Sequence, residues 1–155
     1  GIAELTDPGL GWADESESVQ ACISWFGPTD FLQMDRQLAA AGLGPCDHDA
    51  PDSPESEYMG GQITILDPAW VQRANPITYI SDNLPPLYLQ HGSHDHLVPM
   101  MQSQIFAEAI ETKLGAERVQ FEILAGADHG DPEFITAENM DKMFNFLKRY
   151  LSAIN

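Results

Sequence analysis

Apolar positions along the chain follow two alternating rhythms. Short β-rich runs, each stopped by glycine or proline, alternate with stretches in which apolar side chains recur every three or four residues, and that alternation predicts a parallel sheet covered by helices. The first run, Val19 to Phe26, ends at Gly27-Pro28. Leu87 to His91 is the second, stopped at Gly92, and Val119 to Leu124 is the third, alternating apolar with polar before Ala125-Gly126. All three predict strands.

Helices fall between and after them. Pro99 suits a first helical position, Met101, Ile105, Ala109 and Ile110 keep helical spacing as far as Leu114, and Gly115 marks the end. Met140, Met143, Phe144, Leu147, Tyr150, Leu151 and Ile154 repeat the pattern, with Thr136 as N-cap and Lys148 and Arg149 complementing the dipole. Asp67-Pro68 opens a short helix that Asn75-Pro76 closes, because a residue before proline disfavours helical backbone. Asp30 is placed to cap a further helix from Phe31 to Ala40. The segment from Gly42 to Gly61 breaks both rhythms. Pro45, Pro51 and Pro54 alternate there with Asp47, Asp49, Asp52, Glu55 and Glu57, so it predicts an insertion over the sheet, a structural loop without a core strand. Its acidic residues lack the spacing of an EF-hand calcium loop.

Composition narrows the function. With 155 residues, 43% of them apolar, the chain suits a single globular domain. No uninterrupted apolar run approaches 18 residues, so neither a membrane span nor a secretory leader is expected. Seven Lys and Arg against 24 Asp and Glu leave a net charge of −17, which would repel nucleic acid and acidic lipid alike. Cys22 and Cys46 are too few for a disulfide framework and are expected as free thiols, which leaves the compartment open.

Chemistry gathers in two loops. His91-Gly92-Ser93-His94-Asp95-His96-Leu97-Val98-Pro99 follows the second strand, and Gly126-Ala127-Asp128-His129-Gly130 follows the third. Ligands of open parallel sheets bind beyond the carboxyl ends of the strands, so both loops lie on one edge. Asp95 and His129 are an acid–base pair by position, the carboxylate accepting the imidazole N–H and fixing its tautomer. Asp95 also fits a turn carboxylate capping the helix near Pro99, and His129 a solvated loop histidine. His91 is expected to end a strand and pack. His94, Asp95 and His96 suggest a metal site, but neighbours on one loop rarely converge on one point, and no metal is expected.

The spacing His91-Gly92-x-x-Asp95-x-x-Val98-Pro99 followed by Gly126-x-x-His129-Gly130 resembles the C-terminal half of α/β-hydrolase-fold esterases. Trp25 to Phe31, Asp49 to Ser56, Gly60-Gly61 and Ala74 to Ile77 resemble the branch that contains carbohydrate acetyl esterases and feruloyl esterases. The resemblance covers nearly the whole chain. It implies three parallel strands with flanking helices, Asp95 as the acid of a Ser-His-Asp triad, His129 as its base, no cofactor, and a small ester or esterified polysaccharide as substrate. A related serine peptidase of the same fold shares the acid and histidine loops and is a further rival. One departure stands out: no serine of this chain sits in a Gly-x-Ser-x-Gly elbow, and Ser93 occupies the turn that leads to Asp95. The nucleophile and oxyanion loop are therefore expected upstream, with a non-catalytic half-domain as the rival. In the family fold the Val19–Phe26 strand pairs with the strand leading into the nucleophile, so a homodimer or association with an N-terminal half is expected at this edge.

Overall fold

The computed structural model describes residue 5, residues 7–11 and residues 14–151. One parallel sheet holds the strands in the order β1 (Cys22–Trp25), β2 (Leu87–Gly92) and β3 (Val119–Leu124). β1 is shorter than the apolar run that predicts it. Its register starts with Cys22 opposite Leu87, and just upstream of Leu87 stand Pro85 and Pro86, which have no N–H to extend a ladder. At its other end Phe26 takes φ 45°, a left-handed conformation rare outside glycine, and turns the chain out of the sheet.

Central β2 is buried along its whole length, and its alternating side chains explain the two covering layers. Leu87 and Leu89 face α4 (Met101–Leu114), where Phe106, Ala107 and Ile110 close one core with Val119 of β3. Tyr88 faces the opposite way, onto Met143 and Phe146 of α5 (Ala137–Leu151). Each large apolar side chain so buried contributes about 1.5–3 kcal/mol. Gln90, also on the α5 side and fully buried, exchanges two hydrogen bonds with the Asn139 amide at 2.6 and 2.9 Å, so the polar group inside the core is satisfied.

Several helix ends differ from their sequence signals. α4 starts at Met101 because Pro99 and Met100 form the turn before it, Gln102 N–H donating to Pro99 O. The hydroxyl of Thr136 does accept from Asn139 N–H, as an N-cap would; Ile154 lies outside the described residues. The stretch after Asp30 splits into a 3-10 turn (Phe31–Gln33) and α1 (Met34–Ala41), and the Asp30 carboxylate caps neither. It accepts instead from the side-chain amides of Gln33 and Asn75. The helix opened by Asp67-Pro68, α3 (Pro68–Gln72), stops before Asn75, and Pro76–Tyr79 forms a separate 3-10 turn.

The 42–61 segment is more ordered than a structural loop. It contains α2 (Pro54–Met59), with Ser53 Oγ accepting from Ser56 N–H, Pro54 in the first turn and Gly60 left-handed at the C-cap. Proline read as a breaker is here a helix starter, because its missing N–H is one that a first turn leaves unpaired anyway. Met59 then packs with Ile63 and Val71 in a further small core.

Candidate functional site

The two expected loops meet at the carboxyl ends of β2 and β3. Asp95 is fully buried, and its two oxygens have separate tasks. Oδ1 accepts from the N–H groups of Leu97 (2.9 Å) and Val98 (2.7 Å), which locks the turn. Oδ2 stands 2.9 Å from Nδ1 of His129. The turn-carboxylate reading and the acid–base reading of Asp95 therefore describe different oxygens of one group, although the turn it closes precedes α4 and does not cap it. Burial pushes the Asp95 carboxyl up, but hydrogen bonds from His91, Val98, His129 and Leu97 outweigh burial and hold it below the usual carboxylate range.

His91 does more than end a strand. Its ring is fully buried, with Nδ1 2.7 Å from Ser103 Oγ and Nε2 close to both Val98 O (2.8 Å) and Asp95 Oδ2 (3.2 Å). Two acceptors at Nε2 place the proton there, so Nδ1 accepts from the Ser103 hydroxyl. His91 thus holds Asp95 from behind while His129 meets it from the front.

His129 stands on the loop after β3. Its ring packs on Phe26, centroids 4.2 Å apart, and Phe26 in turn meets Phe134 edge-on at 4.8 Å. The unusual backbone of Phe26 is what brings an aromatic face to the imidazole, and such conformations, costing of order 1–3 kcal/mol, persist where packing over-determines them. With Nδ1 directed to Asp95, Nε2 makes no hydrogen bond among the described residues. The ring lines a cavity of about 630 Å³ with Trp25, Phe26, Val98 and residues of the 42–61 segment.

Asp128 ties the loops together. Its carboxylate accepts from the backbone N–H of His96 (2.9 Å) and of His129 (2.7 Å) and pairs with Nδ1 of His96 at 2.8 Å. Those backbone N–H groups, ahead of the His96 ring, draw its pKa down to about 2. Ser93 adds to the clamp, its hydroxyl accepting from Gly126 N–H at 2.8 Å beside the His94 ring. His94 and His96 therefore turn to different partners, and among the described residues no three His, Cys, Asp or Glu side chains gather as a metal site would need. Cys22 and Cys46 are free thiols.

Sequence reasoning missed four of these groups. Ser103 behind His91 and Asp128 as a clamp lie within or beside the recognised motifs, but nothing in their spacing names a partner. The third is the left-handed Phe26. The fourth is His48, whose Nδ1 stands 2.8 Å from Asp35 Oδ1 and whose ring lines the same cavity as His129.

Comparison with known proteins identifies the family and the fold. The BD-FAE family model matches residues 10–110, well over half of the chain, a span that includes Asp95 and stops short of His129. Two proteins of Mycobacterium tuberculosis are similar, each 26% identical: the probable carboxylic ester hydrolase LipM over 70% of this chain and the esterase LipQ over 79%. The chain spans about a quarter of their length, 24% and 27% respectively. Among solved structures, a bifunctional GH43-CE protein of Bacteroides eggerthii superposes on 90% of the chain with TM-score 0.71 and 31% identity, this chain covering 16% of that one. A truncated carbohydrate esterase from gut microbiota shares the fold over 90% of this chain and 45% of its own, with TM-score 0.72 and 22% identity. By its sheet and by the family model that spans its first two strands, the chain belongs to the BD-FAE family of α/β-hydrolase esterases.

Proposed function

We propose that this chain supplies the acid and the base of a serine carboxylesterase, Asp95 orienting His129, with the nucleophilic serine and the oxyanion loop upstream in chain order. One observation carries the reading: a buried, ionised carboxylate holds Nδ1 of an imidazole at 2.9 Å on the wall of a cavity. With Nδ1–H engaged, Nε2 is the lone pair that takes the proton of an attacking serine. It then returns that proton to the leaving alcohol, and water hydrolyses the acyl-enzyme by the reverse route. This route needs no cofactor. Acetyl or feruloyl esters on plant polysaccharide are the proposed substrates, supported by the carbohydrate esterase among the fold relatives.

The proposed partner is the segment that carries the serine, or a second copy, joined at the free edge of β1. A non-catalytic half-domain is the second reading, favoured by the absence of a Gly-x-Ser-x-Gly elbow from the sequence. Assays of p-nitrophenyl acetate hydrolysis separate the two. The chain alone should stay at background, since loss of a nucleophile costs of order 10⁶-fold elsewhere. The enzyme assembled with the upstream segment should turn over, and should lose about 10⁴-fold on Asp95→Asn. No turnover by the assembled protein, or near-normal turnover of the Asp95→Asn variant, overturns the proposal.

A further inference from the structure

A second carboxylate–imidazole pair faces the same cavity. Asp35, on α1, accepts from the backbone N–H of His48 (3.0 Å) and of Asp49 (2.9 Å) and from Nδ1 of the His48 ring at 2.8 Å. Ser53 Oγ donates to His48 O at 2.6 Å, so the residue is held from both sides. Asp35 fixes the tautomer: Nδ1 carries the proton and the Nε2 lone pair is left over. His48 is 5% exposed, and Nε2 has no hydrogen-bond partner among the described residues. His48 lines the cavity.

The Nε2 lone pair on the cavity wall calls for a donor, and an uncharged ligand hydroxyl fits it. An anionic ligand does not, because Asp47, Asp52 and Glu55 line the same wall. Trp25 and Pro28 add apolar surface of the kind that the C–H faces of a sugar cover.

We propose that His48, held by Asp35, is a specificity-determining residue whose Nε2 accepts a hydrogen bond from a hydroxyl of an uncharged sugar, the alcohol side of the ester. This rests on the esterase reading for its place in the reaction, but its binding arm does not need catalysis. In imidazole ¹⁵N NMR of the chain, His48 should show a protonated Nδ1 and a bare Nε2. Its Nε2 resonance should move saturably in a millimolar titration with methyl β-xylopyranoside, and not with 1-propanol. In the assembled enzyme, His48→Gln should lower the ratio of kcat/KM for acetylated xylose to that for p-nitrophenyl acetate by about tenfold, through KM. A protonated Nε2, no shift with the xyloside, an equal shift with propanol, or an unchanged ratio overturns the proposal. A glycoside-induced shift in a protein that hydrolyses no ester overturns the esterase reading alone.

Discussion

Gly92 ends β2 one residue after His91, and its replacement by alanine tests how tightly the two site loops are packed. Its backbone φ lies outside the left-handed region, so alanine suffers no conformational penalty there and any effect comes from contact. A Cβ at this position would stand 2.3 Å from Ala127 O, 2.8 Å from Ala127 C and 3.2 Å from Asp128 O. Ordinary contact needs about 3.5 Å, so the 127–128 backbone must retreat by about 1 Å. That backbone is not free to move. Ala127 O accepts from His94 N–H at 3.0 Å, and Asp128 N–H donates to Asp131 Oδ2 at 2.7 Å. Gly92→Ala should therefore cost about 1–3 kcal/mol, the range for overpacking, and shift His129, which directly follows Asp128, away from Asp95.

Gly126→Ala is the matched control. Gly126 has φ 81° with nothing within 4 Å of a new Cβ, so alanine there meets backbone strain of about 1–2 kcal/mol and no collision. Urea unfolding gives the stability of each variant, and the His129 Nδ1–H signal in NMR reports the hydrogen bond to Asp95. Expected is loss or displacement of that signal in Gly92→Ala and its retention in Gly126→Ala. In an assembled esterase, displacement of about 1 Å would cost about 10²-fold in turnover. A Gly92→Ala protein with a normal urea midpoint and an unmoved His129 signal would refute the packing argument.

Acid should weaken the fold through the same site. Asp95 and Asp128 both titrate below the ordinary carboxylate range in the folded protein, so their stabilisation is present above the unfolded value of about 4 and is lost as pH falls through the folded one. The urea midpoint should fall between about pH 4 and pH 2, and the fall should be shallower in Asp95→Asn; an identical slope would refute the role given to Asp95. Ser103→Ala leaves Nδ1 of His91 buried without a donor and should cost about 1–3 kcal/mol in urea unfolding, more than a surface serine. Light scattering should find the chain associated at micromolar concentration through the free edge of β1, with Ile23, Trp25 and the half-exposed Phe144 on an adjoining apolar groove. A stable monomer that binds no hydrophobic dye would refute that.

Much of the architecture is legible in the sequence because it rests on period. A stretch such as Val119 to Leu124 shows which faces are apolar, and α5 shows a repeat that only a helix satisfies. The Asp95 and His129 positions were legible for a second reason, since a parallel sheet sends the loops after β2 and β3 to one edge. Polar partnership is different. That His91 reaches both Ser103 and Asp95, or that His48 finds a carboxylate 13 residues back on α1, depends on how elements dock, and no periodicity encodes it. Boundaries slipped for related reasons. β1 starts only where its neighbour's prolines end, and α2 begins at a proline because Ser53 caps it.

The first turn of α4 connects the walls of the cavity. Gln102 is fully buried, and its side-chain oxygen accepts from the N–H groups of Thr29 and Asp30, both at 2.7 Å, while its Nε2 donates to Gln37 on α1 at 2.6 Å. Thr29 answers by donating its hydroxyl to Gln102 O. The loop after β1, which carries Pro28, and the helix that carries Asp35 are thus fixed to one residue. Ser103, next in sequence, turns to the other side and holds His91, and through it Asp95. Two adjacent residues on a helix diverge by about 100°, so a polar pair at this point can serve two walls where an apolar pair could only add packing. Directional bonds in a buried setting admit few alternatives, since each broken one leaves a group unpaired at about 1–3 kcal/mol. His129 and His48 stand 81 residues apart in the sequence, and this turn is the shared foundation that fixes the supports of both, Asp95 and Asp35, within one block of the fold.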